Sequence, residues 1–134
     1  MPIIIWNETF RVGIDILDEQ HKKLIEYVNL FYDNLYAQKC PDILIPMLSN
    51  LYDYTYYHFK IEEKILLQNN HPNIVEHTND HNTILSTLDS YRCKLSTGSL
   101  KLSIEMINYF KNTFILHIIT SDKSHTEYLM NRDS

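Results

Sequence analysis

The sequence predicts an all-α fold: an antiparallel up-and-down four-helix bundle with an irregular N-terminal arm and a short C-terminal helix. Three observations point there. Only two glycines occur in 134 residues, alongside abundant Leu, Ile, Glu and Lys, which suits long helices better than a sheet with many hairpins. Apolar positions recur at alternating spacings of four and three, each time marking one face of a helix. The periodic stretches, each about 20 residues long, are joined by short links, as antiparallel neighbours are. Tyr, Asn and Ile lower helix propensity, so tertiary packing must supply much of the stability.

The first seventeen residues show no sustained helical period, and Gly13 sits between apolar positions, which predicts an arm laid on the domain and anchored by Trp6. Leu17, His21, Leu24, Val28, Phe31 and Leu35 then form the first stripe. This predicts a helix over 18–38 with Asp18 as N-cap. The second stripe is Leu44, Leu48, Leu51, Thr55, His58, Glu62 and Ile65. Its helix is expected to begin near Pro46, because an interior proline costs about 3 kcal/mol whereas the first helical position tolerates one.

The polar break Gln68-Asn69-Asn70-His71-Pro72 ends that helix, and Pro72 suits the first turn of the next. The third stripe carries Ile74, His77, His81, Ile84, Leu85, Leu88 and Leu95. Ser96-Thr97-Gly98-Ser99 reads as a terminator followed by a cap. A fourth helix from about residue 99 is expected to turn Met106, Phe110, Thr113 and His117 inward, and Ser121 to Met130 to form a short tail helix. The whole is one domain over 1–134, with the arm at 1–17, the bundle at roughly 18–119 and the tail helix at about 121–131.

Composition excludes several classes. Twelve Lys+Arg against seventeen Asp+Glu leave a net charge of -5, the wrong sign for neutralising nucleic-acid phosphates. At 44% apolar residues the chain is not disordered, and no run approaches the roughly 20 apolar residues of a membrane span. The start Met1-Pro2-Ile3-Ile4-Ile5-Trp6 lacks the basic n-region of a signal peptide. Cys40 and Cys93 are too few for a disulfide scaffold, so reduced thiols in a cytoplasm are the default, one bridge between them being the other arrangement.

The informative residues are those that interrupt the apolar stripes. His21, His58, Glu62, His77, His81 and His117 occupy positions where the pattern demands core side chains. A single buried histidine is commonly a hydrogen-bonded core residue. Six polar groups converging from four helices are different, because each unpaired buried polar group costs roughly 1–3 kcal/mol and imidazoles offer one another few acceptors. A metal satisfies them together.

Spacing supports this. His58 and Glu62 are four apart, as are His77 and His81, so each pair lies on one helical face and can address one centre. His117 and Asp122 are five apart, about 140° around an ideal helix, and need a helix end or a carboxylate reaching across. One zinc would close with four ligands and leave donors idle. Five imidazoles and two carboxylates suit two first-row metals with bridging carboxylates. The donor types accommodate iron and disfavour thiolate-seeking metals.

The sequence resembles the hemerythrins, specifically the single-domain bacterial type. Trp6, Val12-Gly13-Ile14 and Asp18-Glu19-Gln20-His21-Lys22-Lys23-Leu24 match the family's arm and first-ligand motif. Tyr54-Thr55, His58-Phe59 and Glu62-Glu63 match its second helix, His77 and His81 its HxxxH, and His117-Ile118 with Asp122-Lys123 its HxxxxD ending. All seven ligand positions are present in order.

The resemblance implies a centre of two iron ions (Fe2+/Fe3+) with an oxo or hydroxo bridge. One iron would take His77, His81 and His117, the other His21 and His58, and Glu62 and Asp122 would bridge them. The first iron is then six-coordinate and the second five-coordinate. Its vacancy is where O2 binds reversibly, which is carriage, storage or delivery rather than catalysis, and no catalytic residue is implied. Matching positions place Leu24, Phe59, Thr113 and Phe114 around the vacancy.

The alternatives are an O2-, NO- or redox-sensing module and a di-iron peroxidase or NO-handling enzyme. A chain ending about twelve residues past Asp122 disfavours a sensor with an attached output domain. No nucleic-acid or membrane partner is expected, and a monomer is favoured. His71 and His125 stand where the family commonly has tyrosines and are expected on the surface or beside the ligands, with His125 able to orient Asp122. Thr113 stands where bacterial relatives commonly carry Trp. The extra room and hydroxyl predict faster autoxidation: the oxygenated form should decay sooner than in Trp-containing relatives, and an equally persistent oxygenated spectrum would refute this.

Overall fold

The computed structural model describes residues 4–37, 40–69, 71–72 and 74–96, with Met106, Asn108, Tyr109, Asn112 and Phe114 beyond them. Among the described residues the elements are a 3-10 turn at Glu8–Phe10 and three α-helices: α1 over Asp15–Tyr36, α2 over Pro41–Gln68 and α3 over Ile74–Ser96. No strand occurs among the described residues. The central helix, α2, packs against both α1 and α3. Each of the first three apolar stripes therefore found its helix: Leu24, Val28 and Phe31 from α1, Leu44, Leu48 and Leu51 from α2, and Ile84 and Leu88 from α3 are all buried, whereas Ile65 and Ile74 are half-buried and Leu66 takes the core place expected of Ile65.

The starts of the first two helices differ from the sequence expectation. The first begins at Asp15, not 18, and its N-cap is Ile14 in extended conformation with no side-chain cap bond. Asp18 lies inside the helix and serves the arm instead. Its Oδ1 accepts the backbone N–H of Val12 at 2.7 Å and its Oδ2 that of Gly13 at 3.2 Å, while Arg11 Nε stands 3.7 Å from Oδ2. Gly13 has φ 97°, a left-handed conformation that a Cβ would disfavour. That turn brings two successive N–H groups onto one carboxylate.

The arm has further anchors. Trp6 is half-buried, meets Phe10 edge-on at 5.7 Å, and lies 5.3 Å beneath Lys22 Nζ. Ile4 and Asn29 exchange two hydrogen bonds, Ile4 N–H to Oδ1 at 3.0 Å and Asn29 Nδ2 to the Ile4 carbonyl at 2.7 Å. The amide mimics a strand partner for an otherwise unpaired stretch of backbone.

The second helix starts at Pro41, with Pro46 in its interior. Pro41 occupies the tolerated first-turn place. Pro46 forfeits a single backbone bond near the helix end, and continuing the helix through it buries Leu44 on the core face in register with Leu48 and Leu51. Burying one leucine contributes about 1.5–3 kcal/mol, enough to offset most of the proline's cost. Thr55 sits on the same stripe with its hydroxyl donated to the Leu51 carbonyl at 2.7 Å, so it is satisfied within its own helix.

The polar break after α2 is where the sequence placed it, but Pro72 precedes α3 instead of opening it. The N–H of His71 reaches back to the Leu66 carbonyl at 3.0 Å, the six-to-one bond of a Schellman closure. His71 is buried and not on the surface, which leaves the second of its two expected places, beside the ligands.

Of the fourth stretch, Met106, Asn108 and Tyr109 are α-helical, and Met106 and Phe114 join the core around Leu24, Phe59 and Leu88. Tyr109 packs edge-on against Tyr91 at 5.5 Å. Burial pushes its hydroxyl pKa up to about 12. Thr113, His117, Asp122, His125 and the tail helix lie outside the described residues. Cys40 and Cys93 are free and exposed. No helix among the described residues is long and apolar enough to cross a membrane.

Because Asp18 satisfies two arm N–H groups from a nearly buried position, Asp18→Ala should cost about 1–3 kcal/mol. Chemical denaturation measures this, and Asp18→Asn, which keeps one acceptor, should retain part of the loss.

Candidate metal centre

Five of the seven expected ligands are described, and the three helices bring all five together. His21 comes from α1, His58 and Glu62 from α2, and His77 and His81 from α3. All are buried. The i,i+4 spacing does this within each helix: one turn separates the members of each pair, and both project toward the shared axis.

Two trios result, His21–His58–Glu62 and Glu62–His77–His81, and in each the donor atoms lie within 4.8 Å of one another. Glu62 belongs to both. Its Oε2 stands 3.4 Å from His58 Nε2, while its Oε1 meets His77 Nε2 closely and lies 3.6 Å from His81 Nε2. One carboxylate oxygen thus serves each trio, the disposition of a bridging ligand. His21 Nε2 and His58 Nε2 approach to 3.1 Å with their rings edge-on.

The chemistry of the donors fits a cation. Gln20 Oε1 faces His58 Nδ1 at 2.8 Å and Glu63 Oε2 faces His81 Nδ1 at 2.8 Å. Both oxygens accept, so Nδ1 carries a proton in each ring, and a neutral imidazole held this way has its lone pair on Nε2. Those lone pairs are the atoms set against the Glu62 carboxylate. Nitrogen lone pairs and a carboxylate repel unless positive charge lies between them. Two donors each 2.0–2.2 Å from one ion stand about 2.8–3.6 Å apart for angles between a right angle and the tetrahedral one, and the separations of 3.1, 3.4 and 3.6 Å fall in that range.

Gln20 and Glu63 are the residues whose roles sequence reasoning missed. Each is a direct sequence neighbour of a ligand, one residue before His21 and one after Glu62. A neighbour lies 100° around the helix, so periodicity assigns it to a different face. Only the packing of the next helix turns that face toward an imidazole from elsewhere. Gln20 is buried and Glu63 largely so, with Lys60 Nζ 3.5 Å from its outer oxygen.

The surroundings are apolar. Leu24 lies one turn beyond His21, and Leu24, Phe59 and Phe114 are all buried in the core. Phe59 stacks flat on His81, with centroids 3.7 Å apart and planes 2° apart. His71 has its pKa lowered by burial and, secondarily, by the charge of His77, so its neutral form is favoured beside the cluster.

A helical protein that gathers imidazoles and one shared carboxylate from three helices belongs to the class of cation-binding helical domains. Residues 12–123 match the Hemerythrin family, described as the Hemerythrin HHE cation binding domain, and the chain belongs to that family. Myohemerythrin-1 of Phascolopsis gouldii is 32% identical over 119 residues, covering 88% of this chain and 87% of its own. Bacteriohemerythrin of Clostridium acetobutylicum is 25% identical over 130 residues, covering 93% of this chain and all of its own. A crystal structure of a hemerythrin point mutant superposes with a TM-score of 0.82 at 21% identity over 95% of this chain and 97% of that one, which shows a shared fold. Hemerythrins generally bind O2 at a non-haem iron site.

A divalent transition-metal ion at 100 times its dissociation constant should stabilise the fold by about 2.7 kcal/mol, read as a rise in Tm over the chelated protein. Glu62→Ala should abolish most of that rise, because it removes a donor from both trios. A variant that keeps the full metal-dependent shift would dismiss the shared-carboxylate arrangement.

Proposed function

We propose that this protein binds O2 reversibly at a di-iron centre with one open coordination position. The observation that carries the reading is the double membership of Glu62, one oxygen toward each trio. One metal would leave one trio without its ion. Two, bridged by this carboxylate, use both.

In this reading His77, His81 and His117 would hold one iron and His21 and His58 the other, with Glu62 and Asp122 shared between them. The fourth helix supplies His117 and Asp122 and completes an antiparallel bundle within a single domain over 1–134, with the arm at 1–17. The core positions of Met106 and Phe114 support that path for the chain. Bound iron would supply the electrons for reversible uptake of O2.

The chain's own residues hold and insulate the centre. Gln20 and Glu63 fix the tautomers of His58 and His81, presenting lone pairs in advance of metal binding. Leu24, Phe59 and Phe114, with Thr113, wall the open position and keep water from it. An apolar wall favours carriage over turnover, since solvent access promotes irreversible oxidation. The free, exposed cysteines suit a reducing cytoplasm, where we place the protein, as a monomer.

Optical spectroscopy tests the reading. Anaerobically reduced, iron-loaded protein should gain a visible band on exposure to O2 and lose it on deoxygenation, through repeated cycles. Permanent oxidation after one exposure, or sustained turnover of peroxide or NO, would favour a sensor or an enzyme. Leu24→Ala should cost about 2–5 kcal/mol of stability and shorten the lifetime of the oxygenated form. An unchanged lifetime would remove Leu24 from the pocket wall.

A further inference from the structure

The two halves of the cluster are alike in ligand chemistry and unlike in what stands behind it. His58 Nδ1 donates to the neutral amide oxygen of Gln20 at 2.8 Å, and His81 Nδ1 donates to the carboxylate of Glu63 at the same distance. Both imidazoles are completely buried. The Glu63 side chain is 14% exposed, and its outer oxygen faces Lys60, which is half-exposed, at 3.5 Å. The anion therefore acts mostly through the protein interior, where charge is poorly screened, and among the described residues the cation set against it is the surface lysine Lys60.

An imidazole that donates its Nδ1–H to a carboxylate is a stronger donor at Nε2 than one that donates to an amide, because the shared proton leaves more electron density on the ring. The nearby negative charge also stabilises a cation bound to that ring. Resting on the metal-pair reading above, we propose that Glu63 makes the His77–His81 half the tighter, first-filled metal position. Gln20 leaves the His21–His58 half weaker and later to fill. The two metal positions are thus ranked by an amide and a carboxylate that never touch the metal, acting as positioning residues.

The expected third imidazole, His117, would bias the order in the same direction. Variants that leave the number of ligands unchanged separate the two causes. Glu63→Gln and Gln20→Glu exchange the charges while keeping an acceptor at each place.

The test is a titration of the full-length metal-free chain with Zn2+, a redox-inert probe, followed by imidazole 1H–15N correlation spectra. In the unmodified protein the first equivalent should shift the His77 and His81 resonances and the second those of His21 and His58. Glu63→Gln should weaken the first position by about 10- to 100-fold and shrink the gap. Gln20→Glu should tighten the second, a gain that a purely structural role would not produce.

Simultaneous or reversed filling in the unmodified protein overturns the proposal, as does an affinity ratio that neither variant moves. Failure to take up a second ion overturns the metal-pair reading and this inference together. Two ions bound with a ratio indifferent to both variants overturns this inference alone. Thermal unfolding of each metal-free variant identifies one that fails to fold, in which case the other carries the test.

Discussion

A carboxylate and four imidazoles held out of water in one place set the terms for everything around them. Glu62 is buried against nitrogen atoms from two helices, with His21 of α1 closing the group through His58. A charge in such a place is costly unless it is paired. The pairing requires α1, α2 and α3 to meet at one level and in one rotation, since turning any helix by one residue would swing its donors 100° away. The cluster therefore fixes register as well as offering a site.

The apolar packing is arranged to serve that geometry. Leu44, Leu48 and Leu51 fill one end of α2 before the stripe changes character at Thr55, His58 and Glu62. Leu24 and Phe59 stand beside the imidazoles, and Phe59 stacks on His81 so closely that the ring has one orientation. Hydrogen bonds from Gln20 and Glu63 complete the restraint by choosing which nitrogen faces inward. Hydrophobic contact fixes where each ring lies, and polar contact fixes how it is turned. The arm belongs to the same scheme at the end of α1, where Asp18, three residues before His21, ties down Val12 and Gly13.

Much of this was legible along the chain. The alternation of four and three identified the inward face of each helix, and therefore the anomaly of histidines upon it. The motifs gave the family. The helix starts were less legible, because the rules for ends are local and the outcome is not. Asp18 has the chemistry of an N-cap, yet the arm folds back and claims its carboxylate. Pro46 has the chemistry of a start, yet the leucine stripe continues through it. His71 reads as a polar loop residue, yet the closure of α2 turns it inward.

The sequence alone determined which side chains face the interior and what donors they carry, because helical periodicity is a property of neighbours and survives without knowledge of the rest. Tertiary structure decided which donors meet and through which atom. His21 reaches His58 across 37 residues, His77 reaches Glu62 across 15, and His81 reaches Glu63 across 18. Pairings at those separations depend on how helices rotate and slide against one another, and no local pattern encodes that. The division of five donors into two trios around one carboxylate, and the unequal partners behind His58 and His81, came into being only when the helices packed.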